Sequence, residues 1–171
     1  MARELPIRPF RKPVGLLKAE NGKLDPALLV AIKPYGHLYK SAAASWQAMK
    51  RAAKKDGVIL KPTSAFDAYR PFTIQRSVFM QRYSPEHIDG ASVRTFEGRT
   101  YYLKKGLAPL ASPGTSNHGW GCAVDIWGVT AEGRLEWLLA NYERFGWSHE
   151  LQSEPWHIRY CLGDDLSDGV V

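Results

Sequence analysis

Cysteine is scarce in this chain: Cys122 and Cys161 are its only two among 171 residues. Two thiols cannot form the disulfide framework that staples small secreted domains, and their spacing matches no paired zinc pattern. Buried free thiols are the expectation, with Cys122 on the apolar side of a strand alongside Val124 and Ile126; an oxidised pair stays open. Long apolar runs are absent too, which excludes a membrane-spanning helix. The first thirteen residues carry Arg3, Arg8, Arg11 and Lys12 with no apolar stretch behind them, so no secretory leader is read. The expectation is a protein released from the cytoplasm or exported by another route.

The remainder is ordinary for a soluble globular protein, with 44% hydrophobic and 23% charged residues. This length suits one domain over 1–171, expected to be a monomer, with a Pro-rich basic lead-in over 1–40 and a short acidic tail over 163–171 that should fray. A net charge of +6 suits an anionic partner such as nucleic acid or bacterial cell wall. Lys50, Arg51, Lys54 and Lys55, however, fall on one expected helix and read as its solvated face. No nucleic-acid motif accompanies them, so nucleic acid is not expected as a partner.

Ala-rich Ser41 to Asp56 reads as a helix closed by Gly57. Val58 to Leu60 reads as a short strand before Pro62, and Pro71 as the first position of a second helix reaching Arg82. From Ser84 to Thr115 the chain is rich in Gly, Pro, Ser and charge, a long surface excursion with room for a hairpin around Arg99–Leu103. Ala123–Trp127 alternates as a strand that turns Val124 and Ile126 one way and Asp125 toward a cleft. Arg134–Phe145 is an amphipathic helix that should cover the sheet. His157–Tyr160 is the last strand, with His157 and Arg159 on one face.

Two segments carry chemistry. Ser116-Asn-His118-Gly-Trp-Gly121-Cys-Ala-Val-Asp125 offers an imidazole and a carboxylate, and Glu154-Pro-Trp-His157 offers a second imidazole and a second acid. Two histidines and one carboxylate form the protein half of a catalytic zinc sphere, whose fourth position is left to water. On this reading His118, from a loop that Gly119 and Gly121 keep from being a regular helix, Asp125 and His157 are the ligands. Glu154 is the acid that takes a proton from the attacking water. In a continuous strand Glu154 would point away from His157, but Pro155 favours a turn that lets the two converge. Non-haem iron oxygenases share this donor set, yet they place one residue between His and carboxylate where this chain has six, and they leave Glu154 without a role.

These segments resemble the zinc D-alanyl-D-alanine peptidases of VanY type, in the wider group that includes lysostaphin-like enzymes and the hedgehog domain. The S-x-H-x-x-G-x-A-x-D pattern of that group is met by Ser116, His118, Gly121, Ala123 and Asp125, and its E-x-W-H pattern by Glu154, Trp156 and His157. Ala68-Tyr69-Arg70 and Gln75 resemble the G-Y-R-S…Q segment, with Ala68 and Pro71 in place of Gly and Ser. The resemblance implies an α+β fold in which a short antiparallel sheet carries Zn2+ and helices cover it. It implies Glu154 as general base, Arg70 as the cation beside the scissile carbonyl, and Ser116, Gln75 and Trp156 as substrate contacts. The implied substrate is a peptidoglycan stem peptide, cut either by removal of a terminal D-Ala or internally between L-Ala and D-Glu as phage lysins do. A non-catalytic zinc-containing wall-binding module of the same fold is the alternative. Structural roles compete at several positions: an Arg70–Asp67 ion pair, a loop hydrogen bond at Ser116, and core packing for Trp120 and Trp156. His37, His87 and His149 receive no role.

Overall fold

The computed structural model describes residues 4–170; Met1, Ala2, Arg3 and Val171, the extremes of the expected arm and tail, lie outside them. Among the described residues three α-helices and three small antiparallel sheets make an α+β architecture, as expected. Strands β1 (Leu29–Ala31) and β2 (His37–Tyr39) pair as a ribbon leading into α1 (Lys40–Lys55). Helix α2 (Phe72–Arg82) follows, starting one residue after Pro71, whose carbonyl accepts the amides of Ile74 and Gln75. Strand β3 (Tyr83–Ser84) and the hairpin β4 (Val93–Phe96) and β5 (Arg99–Leu103) form the second sheet in the order β3-β5-β4. The third sheet contains β6 (Ala123–Asp125), β7 (Trp147–His149) and, between them, β8 (His157–Tyr160). Helix α3 (Arg134–Asn141) stops short of the expected Phe145, the last four residues forming a 3-10 turn before β7.

Strand parity divides this third sheet. Val124, Ile126, Ile158, Tyr160 and Trp147 turn into the main core, where they meet Trp46 and Met49 of α1 and Leu138 of α3. Trp46 and Trp147 pack edge to face at 5.8 Å, and the Trp147 indole donates to Ser45 Oγ at 2.8 Å. The opposite face carries Asp125, His157 and Arg159, so burial of one set of side chains presents the other to the cleft.

The structure departs from the sequence reading at several points. Val58–Leu60 is not a strand: the Val58 amide closes the end of α1 on Ala53 O, and Pro62, which has no amide proton, makes only an isolated bridge with Ile126. Cys122 precedes β6 and packs with Leu16, Leu24 and Tyr39, apart from the core holding Val124 and Ile126. Both cysteines are buried free thiols. Residues 84–115 are not merely a surface excursion, because Phe79 stacks on Tyr83 at 4.5 Å and gathers Phe96 and Tyr101 into a core of its own. The arm, to which the sequence reading assigned no contacts, is docked, with Ile7 bridging His149 and Arg11 bridging Leu162. The described part of the tail is tied down rather than frayed: Asp164 accepts from Tyr39 Oη at 2.8 Å and from the Val14 amide at 2.6 Å, and Gly163 O accepts from Ser41.

Candidate metal centre

His118 sits in a 3-10 turn, Asn117–Trp120, rather than in an irregular loop. Ser116 Oγ caps it by accepting the His118 amide at 3.2 Å, and Gly121 ends it in the left-handed region at φ 64°. The turn is pressed against residues from distant parts of the chain. A Cβ on Gly119 would lie 1.9 Å from Asn21 Oδ1 and 2.5 Å from Gln75 Nε2, so no side chain fits there. Gly119→Ala should therefore cost about 1–3 kcal/mol of stability, read from denaturant unfolding.

His118 donates Nδ1–H to Ala68 O at 2.8 Å, which leaves Nε2 free and aimed at Asp125 Oδ1, 3.2 Å away. His157 lies opposite Asp125 in the β6–β8 register, with its Nδ1 2.7 Å from the same oxygen. The donor atoms of His118, Asp125 and His157 all fall within 4.8 Å of one another. Ligands about 2.0–2.2 Å from a tetrahedral zinc stand roughly 3.3 Å apart, so this set fits such an ion with small adjustments. Burial disfavours the Asp125 anion, but the two imidazoles beside it outweigh that and hold the carboxyl well below its usual range. Burial also opposes charge on His157; its bonds to Asp125 and Glu150 prevail and raise it to about 9 in the metal-free protein.

Glu154 and His157 are the first and fourth residues of a turn with Pro155 second, closed by the His157 amide on Glu154 O at 3.0 Å. His149, which had no role in the sequence reading, supports this turn: its Nε2–H donates to Pro155 O at 3.0 Å while Tyr142 Oη donates to its Nδ1 at 2.9 Å. Glu154 is half-buried in the cleft wall, and its carboxyl is raised, first by burial and then by the charges of Asp125 and Glu150, against the lowering effect of His157. A carboxylate so placed is a better proton acceptor than a solvated one.

Arg70 lies at the cleft with its guanidinium 2.9 Å from Asp67 and 3.9 Å from Asp125, and its Nε–H donates to Phe66 O at 3.0 Å. The ion pair with Asp67 and a place beside the candidate metal ligands thus coexist. Ser116 and Gln75 also line the cleft. The Gln75 amide is engaged within the protein: it donates to Asn21 Oδ1 and Arg70 O, both at 3.0 Å, and accepts the Gly114 amide at 2.9 Å. Trp156 is 41% exposed at the cleft. Trp120 is not at the cleft; it packs on the second core with Lys12 Nζ 3.5 Å from its ring centroid.

The cleft encloses about 540 Å³ and continues from the candidate metal ligands along Ile74, Val78 and Arg82, one face of α2. Those positions span roughly 12 Å of helix, facing a wall of Ala108 to Ala111. Glu150 is the residue the sequence reading missed. Its Oε2 lies 2.7 Å from His157 Nε2, and its Oε1 accepts from Asn117 Nδ2 at 2.7 Å and Arg159 at 3.2 Å. Burial disfavours its charge, but the bonds from His157 and Asn117 win and hold it at about 2. With both oxygens occupied, Glu150 is not placed as the base.

Residues 36–164 match the model of the VanY family, described as D-alanyl-D-alanine carboxypeptidase. The chain belongs to that family. VanY membership makes it a peptidase of the cell-wall carboxypeptidase type. Solved structures share the fold. A glutamate-to-alanine mutant of the vancomycin resistance D,D-pentapeptidase VanY from a VanB-type resistance cassette, in complex with Zn(II), aligns with a TM-score of 0.54 at 24% identity, over 85% of this chain and 87% of its own. VanYB in complex with D-alanine-D-alanine aligns with a TM-score of 0.56 at 23% identity, over 86% and 87%. The LD-carboxypeptidase LdcB aligns with a TM-score of 0.59 at 24% identity, over 84% and 72%. No curated protein matches the chain. Among the described residues no helix is long and apolar enough to cross a membrane.

Proposed function

We propose that this VanY-family peptidase hydrolyses peptidoglycan stem peptides with zinc held by His118, Asp125 and His157, and with Glu154 as general base. The observation that carries this reading is the convergence of two imidazole nitrogens on Asp125 Oδ1, at 2.7 and 3.2 Å, beside an acid on the same cleft that has no role in holding them. The zinc-bound VanY of the same fold supports the metal assignment.

When bound, zinc polarises the scissile carbonyl and makes water acidic enough to lose a proton near neutral pH. Glu154 accepts that proton and returns it to the departing amine, a transfer that its raised carboxyl suits in both directions. Arg70, braced by Asp67 and Phe66 O, presents a fixed cation to the oxyanion of the tetrahedral intermediate. Ser116 and Gln75 hold the ligand-bearing turn and the start of α2 in place, and Trp156 offers an exposed ring to the peptide. The length of the cleft along α2 suits a peptide of several residues.

Zinc-loaded protein should release peptide fragments from purified muropeptides, and their masses identify the bond cut: loss of a terminal D-Ala marks a carboxypeptidase, and cleavage after L-Ala an endopeptidase. Absence of hydrolysis by protein with stoichiometric zinc would leave the wall-binding module as the better reading. Arg70→Ala should lower kcat by about 100- to 1,000-fold, with zinc content unchanged by metal analysis.

A further inference from the structure

We infer that Glu150 is the positioning residue that makes His157 offer its Nδ1 nitrogen to the metal, an assignment that rests on the zinc reading above. The argument starts from the sheet. His157 stands on the central strand β8, opposite Asp125 on β6. On the other side Trp147 pairs with Tyr160, Ser148 with Arg159 and His149 with Ile158, and the same register carried one step further sets Glu150 opposite His157. Directly opposed residues have Cβ atoms close enough for side chains to meet. Asp125, His157 and Glu150 therefore form one row across the sheet, with the imidazole bridging the row at 2.7 Å on each edge.

The two edges are not equivalent. The Nδ1 edge faces Asp125 Oδ1, the oxygen that His118 Nε2 also approaches, so this is the side on which the donor set closes. The Nε2 edge faces a carboxylate that cannot rotate away, because Asn117 and Arg159 hold its second oxygen. A histidine that donates Nε2–H to a fixed acceptor keeps its lone pair on Nδ1, and a half-turn of the ring would break that bond. Asn117 immediately precedes the ligand His118, so Glu150 also links the two segments that supply the histidines. Its distance from Asp125 across the ring excludes it from the group of donors that close together.

The test uses the full chain. Zinc affinity is measured by competition with a chromophoric chelator for the wild type, Glu150→Ala and Glu150→Gln. Glu150→Ala should bind zinc about 10- to 100-fold more weakly. Glu150→Gln should recover only part of that loss, since its single amide oxygen cannot accept Nε2–H and also satisfy Asn117 and Arg159. Nitrogen-15 NMR of the zinc-loaded wild type should show His157 protonated at Nε2 and metal-bound at Nδ1, a result that does not depend on any variant folding. Metal on Nε2, or a folded Glu150→Ala with affinity within about twofold of wild type, overturns the assignment of Glu150 alone. A wild-type protein that binds no zinc overturns this assignment and the zinc reading together.

Discussion

Glu154→Gln should lower kcat on muropeptides by about 100- to 10,000-fold, the usual worth of a general acid–base group, while zinc content and KM change little. The expectation follows from what holds this side chain and what does not. The turn from Glu154 to His157 is fixed by backbone, through the 3.0 Å bond that closes it and through His149 on Pro155 O, so the amide variant keeps the loop in place. The carboxyl itself is shifted by burial and neighbouring charge, with no hydrogen bond contributing. Loss of the anion then removes the proton acceptor and nothing structural. Steady-state kinetics with metal analysis on the same preparation checks this, and equal turnover by the two proteins would remove Glu154 from the mechanism. Glu150 should behave oppositely, since its bonds run to His157, Asn117 and Arg159: its replacement shows first in zinc affinity.

His118→Ala should abolish stoichiometric zinc binding, and with it hydrolysis. His118 is 4% exposed, its ring is oriented by Ala68 O, and its Nε2 is one of only two imidazole nitrogens in the cluster. A ligand that binds only the folded state at about 1,000 times its Kd stabilises by about 4 kcal/mol. For a chain of this size that corresponds to roughly 8–16 °C in Tm. Saturating zinc should thus raise the wild-type Tm by an amount of that order and leave His118→Ala unmoved. Thermal unfolding with and without zinc reads both at once. A zinc-dependent shift retained by the variant would mean that the stabilising ion sits elsewhere.

The candidate site was legible because its spacing is local. His118 and Asp125 are seven apart, the alternation of Val124 and Ile126 turns Asp125 toward the cleft, and Pro155 between Glu154 and His157 announces a turn. Helices α1, α2 and α3 were legible for the same reason, each carrying its own periodicity and stop signals. Val58–Leu60 misled because a short apolar run reads alike whether it enters a ladder or only a core, and the choice was made by the end of α1 and by Pro62. The aromatic core of Phe79, Tyr83, Phe96 and Tyr101 was hidden because its members are scattered among turn residues.

What the chain alone determined is therefore the α+β class and the candidate donors His118, Asp125 and His157 with Glu154 beside them, the site residues being written in short local patterns. What only the tertiary structure decided is how these groups are held. Glu150 meets His157 through the register of β7 on β8, a strand the sequence did not reveal. Asn21, from a lead-in without any motif, presses on Gly119 and bonds Gln75 and Ser116 O. The Tyr39 and Ser41 bonds to Asp164 and Gly163 tie the C-terminal segment to the junction of β2 and α1. Each of these contacts joins residues whose meeting depends on strand register or on the close approach of two backbones, and neither leaves a periodic trace in the residues that make it.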